Sequence, residues 1–517
     1  MIRIENLSVA FDGPEVVKNV NMTVEDGEIL GVVGESGSGK SVTALTLMGL
    51  VAKDAKVTTG KIYYDDKLLL EAGKPRDNEL YRKYQGERMS MIFQEPMTSL
   101  NPTKKVGAQV EEMLILHAKG MTREERREKT LETLRSVGLK DAERVYDCYP
   151  HQLSGGMRQR AMIAMAVILH PGLIVADEPT TALDVSVQNQ IMDLLRKINR
   201  EQKNSLLFIT HDLNLARRLC SRIAVMQDGR VVESGPTEEI FEDPKQDYTK
   251  KLIAAVPKRI GKKGGAGKQQ QNALVEVRDL SVFYRDNANS LLGKSRKKCV
   301  VEHADFEVYR GEILGLVGES GCGKTSLSKA ILGINRMIEG KVTHHSNAPQ
   351  MVFQDPYSSL NPVKTVGWLL QEPLRAQGIL DPSRKMSPAD REEAAYEMLR
   401  KVGLEEKYFH RKPSQLSGGQ RQRISIGQAL ITKPGLVIAD EPVSALDVTI
   451  QAQILELIRS LQAELGTAFL FISHDINVIY QVSDRIMVMR NGKILEIGET
   501  EELFQHPRNE YTRELLR

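Results

Sequence analysis

Four cysteines in 517 residues, Cys148, Cys220, Cys299 and Cys322, are too few and too scattered for a disulfide framework or a CxxC metal cage. They read as small buried residues of a chain kept in a reducing compartment. Long apolar runs are missing as well. The longest, residues 161–169, is less than half a membrane span, and the opening MIRIENLSVAF has no basic head followed by an apolar stretch. Neither a leader nor a spanning helix is expected, so the chain should be soluble by itself, with other subunits supplying any helices that cross a membrane. An excess of one charge is also lacking: Lys and Arg total 71 against 68 Asp and Glu, a net +3. That balance gives no reason to expect the long basic face of a dedicated nucleic-acid binder.

Repetition is what the sequence has in abundance, and it sets the architecture before any secondary structure is assigned. Ser154 recurs as Ser417, Asp177 as Asp440 and His211 as His474, each 263 positions on. The chain is too long for one ordinary core, and the repeat divides it into domains at 1–257 and 274–517. Between them lies 258–273, rich in Gly, Lys and Gln and without apolar periodicity, which reads as a flexible tether. Its basic residues, with Lys294, Arg296, Lys297 and Lys298, form a solvated charged stretch rather than a lipid-binding one. The lysines Lys40 and Lys324 are 284 apart, so the second copy is shorter between its lysine and Gln354 than the first is between Lys40 and Gln94. The first copy fills that length with a strand-like KIYYDDKLLL and a polar connection, and the second with KVTHHSNAPQ. A peripheral β lobe trimmed in the second copy is expected. GEILGVVG and GLIVADEP are the nearly continuous apolar runs of buried parallel strands. Thr122 with Glu125 and Ser387 with Pro388 each open a charged helix between such strands. The fold class is therefore α/β, with a helical insertion in each copy.

GESGSGKS (Gly34, Gly37, Gly39, Lys40, Ser41) and GESGCGKT (Gly318, Gly321, Gly323, Lys324, Thr325) follow apolar strands and precede helices. Glycines let successive N–H groups curl around phosphates, the lysine adds a charge, and Ser41 or Thr325 offers a hydroxyl to magnesium. Cys322 stands where the first copy has Ser38 and is read as packing, not redox chemistry. LIVADEP and LVIADEP end buried strands in paired carboxylates, which need a reason to sit where desolvation is expensive. A magnesium ion supplies one: Asp177 and Asp440 would hold its shell, Glu178 and Glu441 would orient and deprotonate the attacking water. His211 and His474 follow further strands and are placed to touch a terminal phosphate or the water. A lone histidine there would be an ordinary polar residue, but this one recurs at the fixed offset. Gln94 and Gln354 offer a neutral oxygen to the magnesium shell. Ser154, Gly155 and Gly156 precede an apolar run and so cap a helix, where free N–H groups make a second anion grip. Taken singly, such a capping serine would be structural.

In order, and over nearly the whole of both halves, these P-loop, glutamine-loop, LSGGQ-type, ADEP, ALD and histidine motifs resemble the nucleotide-binding subunits of ATP-binding cassette transporters. The resemblance implies two tandem P-loop NTPase domains, each with a mostly parallel core sheet, an antiparallel β lobe and an inserted helical signature subdomain. It also implies that the signature of one cassette closes on nucleotide held by the P-loop of the other, burying two ATP molecules head-to-tail. One site would join Lys40, Ser41, Gln94, Asp177, Glu178 and His211 to Ser417, Gly418, Gly419 and Gln420. The other would join Lys324, Thr325, Gln354, Asp440, Glu441 and His474 to Ser154, Gly155, Gly156 and Met157. Met157 in place of glutamine is the one departure, and it is expected to leave function unchanged. Phe11 and Tyr284 look like the family's adenine-stacking aromatics, although a core aromatic would look the same.

FQEPMTSLNPTKKVG, FQDPYSSLNPVKTVG, DYTKKLIAAVP and HPRNEYTRELLR resemble the dipeptide, oligopeptide and nickel import ATPases. Some of those carry a cysteine cluster after the AAVP region; this tether has none, so no iron–sulfur cluster is expected. The resemblance implies an ATPase with ATP and Mg2+ at the cytoplasmic face of the membrane. Its expected partners are two membrane permease subunits and an extracytoplasmic solute-binding protein, with no nucleic acid. A soluble two-cassette ATPase acting on ribosomes or nucleic acid is the alternative, but such proteins usually have a long charged helical linker. A phosphate-binding scaffold without turnover conflicts with the presence of both Glu178 and Glu441.

Overall fold

The computed structural model describes residues 1–74, 77–181, 183, 185–256, 273–286, 296–346, 349–444 and 446–516. The chain forms two compact units, the first built on Met1–Val256 and the second on most of the residues that follow. The expected tether 258–273 lies outside the described residues except for Ala273, as do Lys294 and, in the ALD motifs, Ala182, Asp184 and Ala445.

In the first unit a six-stranded sheet runs in the spatial order Arg230–Pro236, Arg222–Gln227, Ile29–Val33, Ser205–Thr210, Leu173–Asp177, Met89–Ile92. Every neighbouring pair is parallel except the first. Its central strands are buried on both faces, and the period of two shows why their sequences are apolar throughout. Ile29 and Val33 join a core shared with the helices, whereas Leu30 and Val32 point into a core under the β lobe. That lobe is an antiparallel sheet ordered Glu15–Val24, Ile2–Phe11, Ala55–Tyr64, Lys67–Glu71.

The helical insertion comprises Val106–His117, Arg123–Ser136, Ala142–Asp147 and Gly155–Val167. Thr122 and Glu125 form the expected reciprocal capping box. Gly107 lets the first of these helices rest on the Tyr146 ring, which a Cβ would meet at 2.1 Å. Gly367 and Phe409 repeat the device in the second unit, at 2.3 Å.

The second unit repeats the sheet as Gln350–Val352, Leu436–Asp440, Ala468–Ser473, Ile313–Val317, Arg485–Arg490, Lys493–Glu499. Again only the pair at the Lys493–Glu499 edge is antiparallel. Its lobe has three strands, Arg296–Tyr309, Ala273–Asp286 and Ile338–His344. Among the described residues nothing corresponds to Lys67–Glu71, so the lobe is trimmed as its shorter sequence implied. One reading needs correcting. KIYYDDKLLL is not a single strand but a hairpin, because Asp65 and Asp66 adopt φ of 45° and 60° and reverse the chain between Tyr64 and Lys67. Consecutive left-handed residues make the primed two-residue turn that hairpins favour, and aspartate tolerates it.

Candidate functional site

In the first unit, residues 34–39 leave the end of the strand Ile29–Val33 and enter the helix Lys40–Leu47, capped by Gly39 at φ 96°. A Cβ on Gly34 would lie 2.2 Å from the Met226 carbonyl oxygen, so the loop passes too close to the neighbouring strand for any side chain. Lys40 is buried, and its Nζ donates to the carbonyl oxygens of Gly34 at 2.8 Å and Glu35 at 2.7 Å. Burial pulls the pKa of this ammonium below its usual value, although the nearby carboxylates of Glu178 and Asp177 oppose it.

Ser41 Oγ donates to Asp177 Oδ1 at 3.0 Å, beside the end of the strand Leu173–Asp177. Burial pushes the Asp177 carboxyl up, and the Ser41 bond only partly offsets this. The next residue turns away: Glu178 has φ 45°, a left-handed conformation costly for a residue with a Cβ. The turn delivers its carboxylate to three partners. Oε1 meets His211 Nδ1 at 3.1 Å, and Oε2 accepts from Gln94 Nε2 at 3.0 Å and Thr181 Oγ1 at 2.9 Å. Burial would raise the Glu178 pKa, but the His211 bond and charge hold it below the ordinary carboxylate value. Burial likewise presses His211 down, and Glu178 more than restores it, leaving it above its usual value. Each partner thus favours the charged form of the other.

The second unit reproduces this arrangement. Lys324 Nζ donates to Gly318 O at 2.7 Å and Glu319 O at 2.9 Å, and Thr325 Oγ1 to Asp440 Oδ2 at 2.9 Å. Gln354 Nε2 and His474 Nδ1 lie 3.0 Å and 3.2 Å from Glu441 Oε2. Glu441 has φ 48°. Asp440, Glu441 and His474 shift in the same directions for the same causes as their counterparts. One hydroxyl differs: Ser444 Oγ donates to the backbone oxygen of Glu441, not to its carboxylate. Cys322 is buried in the lobe-side core, and burial raises its thiol pKa, in keeping with a packing role.

The signature residues sit apart from these clusters in both units. Ser154 caps the helix Gly155–Val167 by accepting from Met157 N, and Ser417 caps Gly418–Leu430 by accepting from Gln420 N. Gly156 and Gly419 face the helix that follows the carboxylates, where a Cβ would come within 2.7 Å of Val187 and 2.5 Å of Ile450. Among the described residues no hydrogen bond joins Ser154 or Ser417 to the P-loop of its own unit. Met157 and Gln420 are not equivalent. Gln420 Oε1 accepts from Ser417 N at 3.0 Å, and its Nε2 donates to Tyr408 Oη at 3.1 Å, bonds that a thioether cannot make. Phe11 is partly buried against the lobe core, whereas Tyr284 is 38% exposed.

Gln94 and Gln354 reach the glutamates rather than the Ser41–Asp177 and Thr325–Asp440 pairs, which leaves their amide oxygens as the atoms able to ligate a cation. Thr181 and Tyr408 escaped the sequence reading. Thr181 stands three residues after Glu178, the only signal available, and nothing in the sequence ties Tyr408 to Gln420.

Residues 17–181 and 301–444 match the ABC transporter family, and residues 232–281 match the oligopeptide/dipeptide transporter C-terminal region. An ABC transporter ATP-binding protein of Escherichia coli K12, YejF, which carries the word uncharacterized in its name, is 42% identical over 100% of this chain and 99% of its own length. The glutathione import ATP-binding protein GsiA of Pectobacterium atrosepticum is 40% identical over 100% of this chain and 89% of its own. Among solved structures, a complex of the archaeal ribosome recycling factor with a ribosomal stalk protein aligns with TM-score 0.63 and 23% identity, over 95% of this chain and 89% of that one. At that identity the likeness is one of fold.

Proposed function

The chain belongs to the ABC transporter ATP-binding proteins, and from that premise we propose that it drives import of peptides or a related small solute at the cytoplasmic face of a membrane. As a member of that family it binds and hydrolyses ATP. No helix among the described residues is long and apolar enough to cross a membrane, so the path for the solute belongs to permease partners. Two permease subunits, with a solute-binding protein delivering cargo from outside, complete the proposal. The import direction is carried by the glutathione import relative, and the peptide class of cargo by the match of residues 232–281.

In this reading Lys40, Ser41, Gln94, Asp177, Glu178 and His211 serve one ATP site and Lys324, Thr325, Gln354, Asp440, Glu441 and His474 serve another. Ser154, Gly155, Gly156 and Met157, with Ser417, Gly418, Gly419 and Gln420, are further proposed nucleotide contacts. The observation that carries it is the cluster of a P-loop lysine, a hydroxyl–carboxylate pair and a glutamate held by histidine and glutamine, present in both units. Phe11 and Tyr284 are the proposed adenine contacts.

The residues present fit magnesium. Ser41 Oγ and Asp177 supply hard oxygens 3.0 Å apart, the carboxyl is desolvated, and no cluster of three or more His, Cys, Asp or Glu forms a closed cage among the described residues. Such a partial ligand set suits an ion that keeps waters and phosphate oxygens. When bound, the ion neutralises charge on the phosphate oxygens. Glu178 accepts the proton of the attacking water, with His211 holding the carboxylate in place until the water replaces it. Lys40 exchanges its two loop carbonyls for phosphate oxygen.

Replacing Lys40 and Lys324 together by Ala should abolish ATP turnover, and S417A should impair it. A steady-state ATPase assay checks this, and unchanged turnover in the double lysine variant would break the reading.

A further inference from the structure

A second pair of residues reaches the phosphate loops from a direction the motifs do not suggest. Tyr248, in the helix Asp247–Ala254, accepts a hydrogen bond at its hydroxyl from the Glu35 N–H at 3.2 Å. Tyr511, in the helix Glu510–Leu516, accepts one from the Glu319 N–H, also at 3.2 Å. The two tyrosines stand at the 263-residue offset and use the same P-loop position in each unit.

The peptide group involved is the one joining Gly34 to Glu35. Its N–H points to Tyr248, while its carbonyl oxygen, that of Gly34, accepts from Lys40 Nζ at 2.8 Å. The Gly318–Glu319 peptide is held the same way, by Tyr511 on one side and Lys324 Nζ at 2.7 Å on the other. This peptide begins the loop whose later N–H groups must face phosphate. When the lysine leaves to meet nucleotide, the tyrosine is the side-chain restraint that remains on its orientation. Burial pushes both phenols up to about 12, so each stays neutral near pH 7.

The tyrosines are themselves well placed. Glu233, in the strand Arg230–Pro236, accepts from the N–H groups of Lys245 at 2.7 Å and Gln246 at 3.1 Å, just before the Tyr248 helix. Glu496, in Lys493–Glu499, accepts from Arg508 N at 2.9 Å, Asn509 N at 3.2 Å and Thr512 Oγ1 at 2.7 Å. Each carboxylate thus fixes the turn that aims a tyrosine at the P-loop. Arg490 stacks over the Tyr511 ring at 4.3 Å.

We propose that Tyr248 and Tyr511 are positioning residues for nucleotide binding: through their hydroxyls, the C-terminal helix of each unit locks the first peptide of its P-loop in the ATP-accepting orientation. The inference rests on ATP binding at the two P-loops and assigns no chemistry to the tyrosines.

The test uses the full chain and β,γ-imido ATP as the probe. In Y248F/Y511F, which removes only the hydroxyls, the analogue should bind about five- to tenfold more weakly, the effect of one lost neutral hydrogen bond per site. KM for ATP should rise by the same factor while kcat falls much less, and the nucleotide-free melting midpoint should fall by no more than about 4 °C, the cost of one hydrogen bond in a unit of this size. Y248F alone should weaken one of the two classes of site. Wild-type affinity in the double Phe variant overturns the inference, and so does a weakened affinity accompanied by a loss of melting midpoint well beyond that. If Y248L/Y511L loses affinity while Y248F/Y511F does not, the rings act by packing and the hydroxyl assignment falls. A wild-type chain that fails to bind the analogue would overturn the nucleotide reading and this inference together; an unaffected Phe variant overturns this inference alone.

Discussion

Glu178 and Glu441 each hold a left-handed backbone, φ 45° and 48°, so that a partly buried carboxylate meets histidine and glutamine at once. Strain of this kind persists where surrounding structure over-determines it, here the strand on one side and the histidine on the other. Replacing both glutamates by Gln should lower ATP turnover by about a hundredfold or more while nucleotide still binds, which single-turnover and equilibrium binding assays would separate. The pair also carries a pH signature. His211 and His474 are raised, so their contribution to stability is full below the ordinary histidine pKa and fades as pH rises through the raised value. Glu178 and Glu441 are lowered, so theirs is full above the ordinary glutamate pKa and fades as pH falls through the lowered one. The melting difference between the wild type and H211A/H474A should therefore peak between about pH 4.5 and 6.5 and shrink at alkaline pH, with each pair contributing on the order of 1 kcal/mol at the peak.

At the scale of elements, the same helix start is built in two ways. Ser154 caps Gly155–Val167 without a reciprocal partner, because Met157 has no oxygen to return to the Ser154 N–H. Ser417 and Gln420 close a full box, and Tyr408 steadies the glutamine. Q420M should cost the second unit about 1 kcal/mol, read as an earlier urea midpoint for the unit that contains it, because a partly exposed box is replaced by water contacts. The strands, the capped helices and the Gly loops were legible in the sequence because each rests on neighbours within a few residues. The Asp65–Asp66 hairpin was missed although its signal is present, two aspartates and a lysine interrupting the apolar runs IYY and LLL; the backbone dihedrals and the Tyr64–Lys67 pairing establish the reversal.

For the whole molecule, the two units repeat one design while residues 257–272 lie outside the description. If that segment is a slack tether, deleting 261–272 should leave ATPase activity largely intact, because loop-closure cost changes only slowly with length; a steady-state assay that showed complete loss would make the segment structural. The sequence by itself determined the duplication, the α/β class, the family and the chemical inventory of Lys40, Ser41, Asp177, Glu178 and His211 with their counterparts. Those follow from motif spacing and period, properties of short stretches. Only the tertiary structure decided that Gln94 serves Glu178, that Thr181 shares that carboxylate, and that Tyr248 and Tyr511 reach back across the chain to the phosphate loops. The reason is physical: each of these is a single hydrogen bond between residues brought together by sheet order and helix packing, and such a bond has no pattern along the chain.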